Sequence, residues 1–165
     1  MDGTKSKLRV LIVGGGFGGV SAAKNLAKYP DEFEVTLVSD KPHFEYHAAL
    51  YRVVTGRSPL EVCIPLSTIF EGTPVKVVED SIEIVYPKTK QLLGQSGSKY
   101  LYDSLVLALG SETAYFNIPG LKEHAFTLKS ITDALRLKRH LHQLFVEAAI
   151  ELKNGQRRPI HLVLV

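Results

Sequence analysis

Apolar residues fall into two kinds of pattern along this chain. Leu8 to Val13, Leu105 to Leu109 and Pro159 to Val165 are nearly unbroken runs of branched aliphatic side chains, which suits parallel strands covered on both faces. Phe33 to Val38 is a further strand, placed at the distance from Leu8 to Val13 that a strand–helix–strand unit needs. Between them, Val20 to Lys28 predicts a helix with Val20, Ala23 and Ala27 on one face. Tyr46, Ala49, Leu50 and Val53 recur at helical spacing and predict a short helix closed by Gly56. Leu60 to Phe70 is apolar but broken at Pro65, with one helical turn near Ser67 to Phe70. Val75 to Glu79 reads as a strand. Ser81 to Tyr86, Gln91 to Leu93 and Lys99 to Tyr102 follow as short strands joined by turns at 87–90 and 94–98, a hairpin insertion where a crossover helix would otherwise stand. Ser130, with Asp133 three positions on, predicts a helix start. Ala134, Leu137, Leu141, Leu144, Phe145, Ala148 and Leu152 then hold one apolar stripe to Lys153, ended by Asn154-Gly155. The fold class is α/β: a parallel sheet with crossover helices and an antiparallel β-hairpin insertion.

The first run stops at a glycine cluster, Gly14-Gly15-Gly16-Phe17-Gly18-Gly19. Gly14, Gly16 and Gly19 fit the G-x-G-x-x-G spacing: a tight turn, a close approach of backbone to a pyrophosphate, and a close approach of helix to strand. The following helix would offer free N–H groups and a positive dipole end to phosphate. A strand before and a helix after set this loop apart from a plain glycine-rich turn. About 20 residues further on, an acidic side chain would hydrogen-bond the adenosine ribose. Here the strand is followed by Ser39-Asp40-Lys41-Pro42. The ribose contact falls to Ser39 or to Asp40, unless Asp40 only opens the turn before Pro42. Ala108, Leu109 and Gly110 end the strand that returns beside the first, and the small residues among them leave no side chain in the way of a bound pyrophosphate or flavin. The aromatic-rich segment from His43 to Tyr51 could cover a flat ring system, with His47 its candidate ligand contact.

Composition narrows the function further. At 165 residues with 45% apolar and 22% charged positions, the chain holds one ordinary domain with a real core and cannot hold two large ones. A net charge of +3 is too mild to argue for nucleic acid. No apolar run approaches the roughly 18 residues of a membrane span. Met1 to Lys7 is polar, without a signal-peptide core, so the chain is expected in the cytoplasm. Cys63 is the single cysteine, read as a buried inert thiol, so disulfides and cysteine metal sites within the chain are excluded. His140 and His142 are two apart and share no helix face, and no metal site is expected. The turn Asn117 to Leu121 marks a domain boundary, dividing 1–117 from 118–165. The final apolar run halts where a second glycine turn would be expected, which predicts that the chain is a fragment.

The glycine loop, Leu50-Tyr51-Arg52-Val53-Val54-Thr55-Gly56, Tyr102-Asp103-Ser104-Leu105-Val106-Leu107-Ala108-Leu109-Gly110 and the segment Phe126 to Phe145 together resemble the N-terminal part of the two-dinucleotide-domain flavoproteins. Among these the chain is most similar to the type II NADH dehydrogenases, the non-pumping NADH:quinone oxidoreductases. The resemblance runs from Arg9 to Val165 and implies a Rossmann-like FAD-binding domain over 1–117, the start of an inserted NAD(P)H-binding domain over 118–165, and the following contacts. The loop Gly14 to Gly19, with Gly16, Phe17 and Gly18, binds FAD, joined by Ser39, Asp40, Lys41, Ala108, Leu109 and Gly110. His47 to Thr55 approaches the isoalloxazine, and backbone at Ser81-Ile82 helps to hold the adenine. NADH binds mostly beyond Val165, and electrons pass through the flavin to a membrane quinone; no residue of this chain is singled out as catalytic. Membrane contact, at the inner face of the cell membrane, comes only through C-terminal segments that are not in this sequence. A homodimer is a further implication. The chain departs from the family at Ser39, where an acid is usual, and at His47-Ala48, where Gln-Pro is usual. Other flavin-dependent reductases (ferredoxin, rubredoxin and sulfide:quinone types, or an apoptosis-inducing-factor-like protein) share the architecture. Sulfide chemistry would use paired cysteines, and Cys63 stands alone. A non-enzymatic nucleotide sensor is the alternative of another class.

Overall fold

The computed structural model describes residues 6–164. The chain forms two compact units: one runs to Glu45 and from Cys63 to Glu112, the other comprises Tyr46–Val62 and the residues from Thr113 onward.

In the first unit, strand β1 (Leu8–Val13), helix α1 (Phe17–Leu26) and strand β2 (Phe33–Ser39) form the expected crossover. β5 (Lys76–Glu79) and β9 (Ser104–Leu107) complete a four-stranded sheet of order β5-β2-β1-β9. All its pairings are parallel, with Val10 beside Val35 and Ile12 beside both Leu37 and Val106. Successive side chains of a strand point to opposite faces, which explains why β1 is apolar throughout. Val10 and Ile12 pack with Ala23 of α1, Val35, Leu37, Phe44, Leu66 and Phe70. Leu11 and Val13 pack on the other face with Val38, Leu92 and Tyr102. Each fully buried aliphatic side chain here contributes about 1.5–3 kcal/mol. The second face is covered by the insertion, a three-stranded antiparallel sheet of β6 (Ile82–Tyr86), β7 (Gln91–Gly94) and β8 (Lys99–Leu101). A small antiparallel pair, β3 (His43–Glu45) with β4 (Cys63–Pro65), leads into the one-turn helix α3 (Leu66–Ile69).

The second unit holds α2 (Leu50–Val54), flanked by 3₁₀ turns at His47–Ala49 and Pro59–Glu61, then α4 (Leu121–His124) and the long α5 (Ile131–Lys153). Its core is small: Ala49, Leu50, Val53, Val62 and Ala134. Ser130 caps α5 as expected, its Oγ accepting the Asp133 N–H at 3.0 Å.

Several expectations need correction. α1 starts at Phe17, three residues earlier than its periodicity predicts, because Gly16 itself turns the chain into the helix. Ser39 is the last residue of β2 and not the position after it. The run 105–109 is not buried: β9 ends at Leu107, and Leu107 and Leu109 are 54% and 70% exposed, since β9 lies at the outer edge of the sheet. Residues 156–164 form no strand. A strand exists through its ladder, and no strand among the described residues pairs with this segment, whose Arg158 instead reaches Glu147 and Glu151 of α5; Val165 lies outside the described residues. On α5 only Ala134 of the apolar stripe is buried. Cys63 is half-buried in β4, not sealed in a core.

Candidate functional site

The carboxyl ends of β1, β2 and β9 converge on the glycine loop. Gly14 donates its N–H to Val38 O at 2.8 Å and has φ of +112°, a backbone conformation open chiefly to glycine. A Cβ there would overlap the Ala108 carbonyl, and one at Gly19 would overlap the Gly14 carbonyl. The chain thus brings β1, the first turn of α1 and the end of β9 into direct backbone contact. Ala108 extends the ladder by donating its N–H to Val13 O at 2.8 Å.

Gly16 is of another kind. It caps α1 at φ −83° and ψ −167° with no side-chain cap bond, and no acid follows in the first turn. Nothing lies within 4 Å of where its Cβ would be. Val20 is the residue whose N–H reaches the Gly16 carbonyl, at 3.0 Å, so the amides before it precede the helix's own ladder. Unfilled space above Gly16, a positive helix end and the lack of a nearby carboxylate are what a diphosphate requires. Gly18 faces Ala108, at ordinary contact distance for an added Cβ. Gly110, at φ +77°, has open space beside it, and Leu109 is exposed. Phe17 is half exposed and meets Phe44 edge-on, ring centres 4.8 Å apart.

The three residues after the valine of β2 diverge. Ser39 is 2% exposed; its Oγ accepts the Lys41 N–H at 3.3 Å and lies where a side chain on Gly15 would come within 2.5 Å. Asp40 points into solvent. Lys41 is drawn back to the buried Glu45, with Nζ 2.6 Å from Oε1, and His43 Nε2 lies 3.5 Å from the same oxygen. Glu45 was not singled out in the sequence; an acid between two aromatic residues was its only signal. Ser81 donates its N–H to Asp80 Oδ1 at 2.8 Å, and its carbonyl accepts the Gln95 N–H at 2.8 Å. Ile82 pairs with Gly94. Asp80, also unremarked in the sequence, donates its N–H to Ser39 O at 2.9 Å. His47 belongs to the second unit, where it is exposed at the start of a 3₁₀ turn.

At the opposite end of the sheet, Arg9 grips Asp103 through Nε (3.1 Å) and Nη2 (2.9 Å) and accepts the Asp103 N–H on its carbonyl. These guanidinium bonds hold the Asp103 carboxyl down at about 2. Among the described residues no group of three His, Cys, Asp or Glu could hold a metal ion, and no helix is long and apolar enough to cross a membrane.

The family model for pyridine nucleotide-disulphide oxidoreductases matches residues 8–158, the glycine loop included. This chain belongs to that family. Among relatives of this chain, the sulfide-quinone reductase of Aquifex aeolicus is 28% identical over 82% of the chain and 32% of its own length. An external alternative NAD(P)H-ubiquinone oxidoreductase of Arabidopsis thaliana, mitochondrial, is 32% identical over 99% of the chain and 30% of its own length. The type II NADH:quinone oxidoreductase of Staphylococcus haemolyticus is 30% identical over 88% and 37%. The chain therefore spans about a third of the length of the curated relatives it matches. The crystal structure of the Aquifex aeolicus sulfide:quinone oxidoreductase aligns with a TM-score of 0.78 at 27% identity, over 86% of this chain and 33% of that one. NDH2 from Plasmodium falciparum in complex with NADH gives 0.72 at 23% identity over 87% and 30%, a likeness of fold. The parallel sheet with its antiparallel insertion is thus the Rossmann-type architecture of these oxidoreductases.

Proposed function

We propose that the complete gene product is an FAD-dependent NADH:quinone oxidoreductase of the type II NADH dehydrogenase kind, and that residues 1–117 of this chain contribute its FAD-binding domain and 118–165 the start of its NAD(P)H-binding domain. The observation that carries the reading is the open Gly16 at the uncapped start of α1, inside a loop too tightly packed elsewhere to serve as an ordinary turn. A flavin held there would supply the redox chemistry, hydride acceptance from NADH and two-electron reduction of a quinone.

The chain's own residues bind and orient. Backbone amides of Gly16, Phe17, Gly18 and Gly19 would hold the diphosphate, Gly14 and Gly19 allow the close packing that aims them, and Ala108, Leu109 and Gly110 would leave the flavin side unobstructed. Ser39, flanked by Asp40 and Lys41, would bound the ribose, and Ser81-Ile82 would bound the adenine. The names of the Staphylococcus and Arabidopsis relatives, each carrying NADH or NAD(P)H and a quinone, support this donor and acceptor. A cytoplasmic protein docked peripherally on the inner membrane face, acting as a homodimer, fits a membrane quinone as substrate.

The Aquifex likeness favours a second reading, a sulfide:quinone reductase. The lone Cys63 weighs against it, since paired cysteines would carry sulfide oxidation. Purified complete protein should be yellow with flavin absorbance and should oxidise NADH with a soluble quinone. Quinone reduction by sulfide but not by NADH would replace the first reading with the second, and colourless protein that binds NADH at the first glycine loop would replace both with a nucleotide sensor.

A further inference from the structure

Asp80, between β5 and β6, is bound on every side by the insertion. Its Oδ1 accepts the N–H of Ser81 at 2.8 Å and of Ser96 at 3.2 Å; its Oδ2 accepts the Ser96 hydroxyl at 2.6 Å and the Tyr100 hydroxyl at 2.7 Å. A Cβ on Gly94 would overlap that same Oδ2, so the carboxylate packs directly against the last residue of β7, and a side chain there would have to displace it from its hydrogen bonds. The serine and tyrosine hydrogen bonds hold the Asp80 carboxyl below the usual carboxylate range, while burial and the same carboxylate push the Tyr100 hydroxyl up. The group is therefore ionised near neutrality, and hydrogen bonds to an ionised acceptor are roughly twice as strong as neutral ones. Through its main chain Asp80 reaches the other way, to the carbonyl of the buried Ser39 at 2.9 Å.

One residue thus ties the end of β2, where the ribose would lie, to the Gly94–Ser98 turn and the Ser81-Ile82 backbone, where the adenine would lie. We propose that Asp80 is the positioning residue of the adenosine half of the nucleotide site: it fixes the distance between Ser39 and Ser81-Ile82 without touching the ligand. This rests on the flavin dinucleotide reading above. Without the carboxylate, the Ser96 and Tyr100 hydroxyls and the Ser81 N–H lose a shared anchor, and the turn is no longer held to the sheet through Asp80. Asparagine would preserve much of the anchor, because its carbonyl can still accept the two N–H groups while its amide donates to the two hydroxyls.

The test measures FAD binding by flavin fluorescence and ADP binding by calorimetry, on the complete protein stripped of cofactor. ADP carries the adenosine half without the flavin. D80A should weaken FAD and ADP by the same factor, about tenfold or more, a loss of roughly 1.4 kcal/mol. D80N should recover most of it. Y100F, which removes one donor and leaves the fold intact, should show a smaller loss of the same kind. An FAD affinity in D80A within twofold of wild type would overturn the proposal, as would a loss for FAD with none for ADP, or a D80N no better than D80A at equal melting temperature. Should D80A fail to fold, equal losses for both ligands in Y100F support the proposal, and unchanged binding in Y100F overturns it. Wild-type protein that binds ADP but not FAD sinks the flavin reading alone, and Asp80 is then judged on ADP; wild-type protein that binds neither sinks both.

Discussion

Two glycines two residues apart should respond to the same substitution in opposite ways. Gly14 has φ of +112°, and its added Cβ would meet the Ala108 carbonyl. Alanine at such a φ costs on the order of 1–3 kcal/mol, and overfilling a packed contact costs about 1–3 kcal/mol more. G14A should therefore lose roughly 2–6 kcal/mol, a large share of the ~5–15 kcal/mol typical of a folded protein. At about 2–4 °C per kcal/mol for a chain of this size, its melting temperature should fall by roughly 5–20 °C. Gly16 has an ordinary φ and open space around it. There, alanine restricts the unfolded chain, worth about 0.4–1 kcal/mol in favour of folding, but is a poorer N-cap than glycine by several tenths to about 1 kcal/mol. The two nearly cancel, so G16A without ligand should melt within about 3 °C of wild type. Its methyl group would stand in the space reserved for the diphosphate, separating the anion from the helix end, an interaction worth up to about 2 kcal/mol. FAD affinity should fall by about tenfold or more. Thermal melts with and without FAD, and a fluorescence titration of apoprotein with FAD, check both arms. A G16A protein that binds FAD like wild type would show that the space above Gly16 is not where the diphosphate lies. A G14A protein as stable as wild type would refute the packing argument.

The other predictions concern stability. Asp103, whose carboxyl Arg9 holds at about 2 against an ordinary value near 3.9, should contribute stability that is complete above about pH 4 and is lost as pH falls toward 2. Urea unfolding across that range should show a shallower acid decline in D103N than in wild type, and parallel curves would exclude the contribution. Leu37, fully buried in the β2 face of the core, should cost about 2–5 kcal/mol when cut to alanine, read from the urea midpoint at an unchanged slope. S130A removes the cap on Asp133 N–H and should cost about 1 kcal/mol, read from the midpoint of urea unfolding.

What the sequence made legible follows from the range of each interaction. β1, β2 and α5 could be read because their signals are local: the branched aliphatic run of β1, the stripe and cap of α5. The glycine loop was legible for the same reason, since Gly14, Gly16 and Gly19 are spaced along one turn, although their different tasks emerge only when Ala108, 94 residues further on, comes to lie against Gly14. Leu105 to Leu109 and Pro159 to Val165 show the limit of such local reading. Apolarity says that a strand prefers to be covered, while pairing decides whether it is, and β9 at the sheet edge and the unpaired 156–164 answer that question differently. Asp80 and Glu45 were illegible for a deeper reason. Each acts through partners that approach it only after folding: Ser96 and Tyr100 for Asp80, and for Glu45 the lysine across Pro42. A carboxylate's role is set by the donors that reach it, and residue type alone does not encode them. Gly94 was the exception, a glycine needed neither for its φ nor for a phosphate but for the room it leaves a carboxylate. A glycine at a strand end with ordinary φ is thus a pointer to whatever packs against it, and here it points to the Asp80 carboxylate.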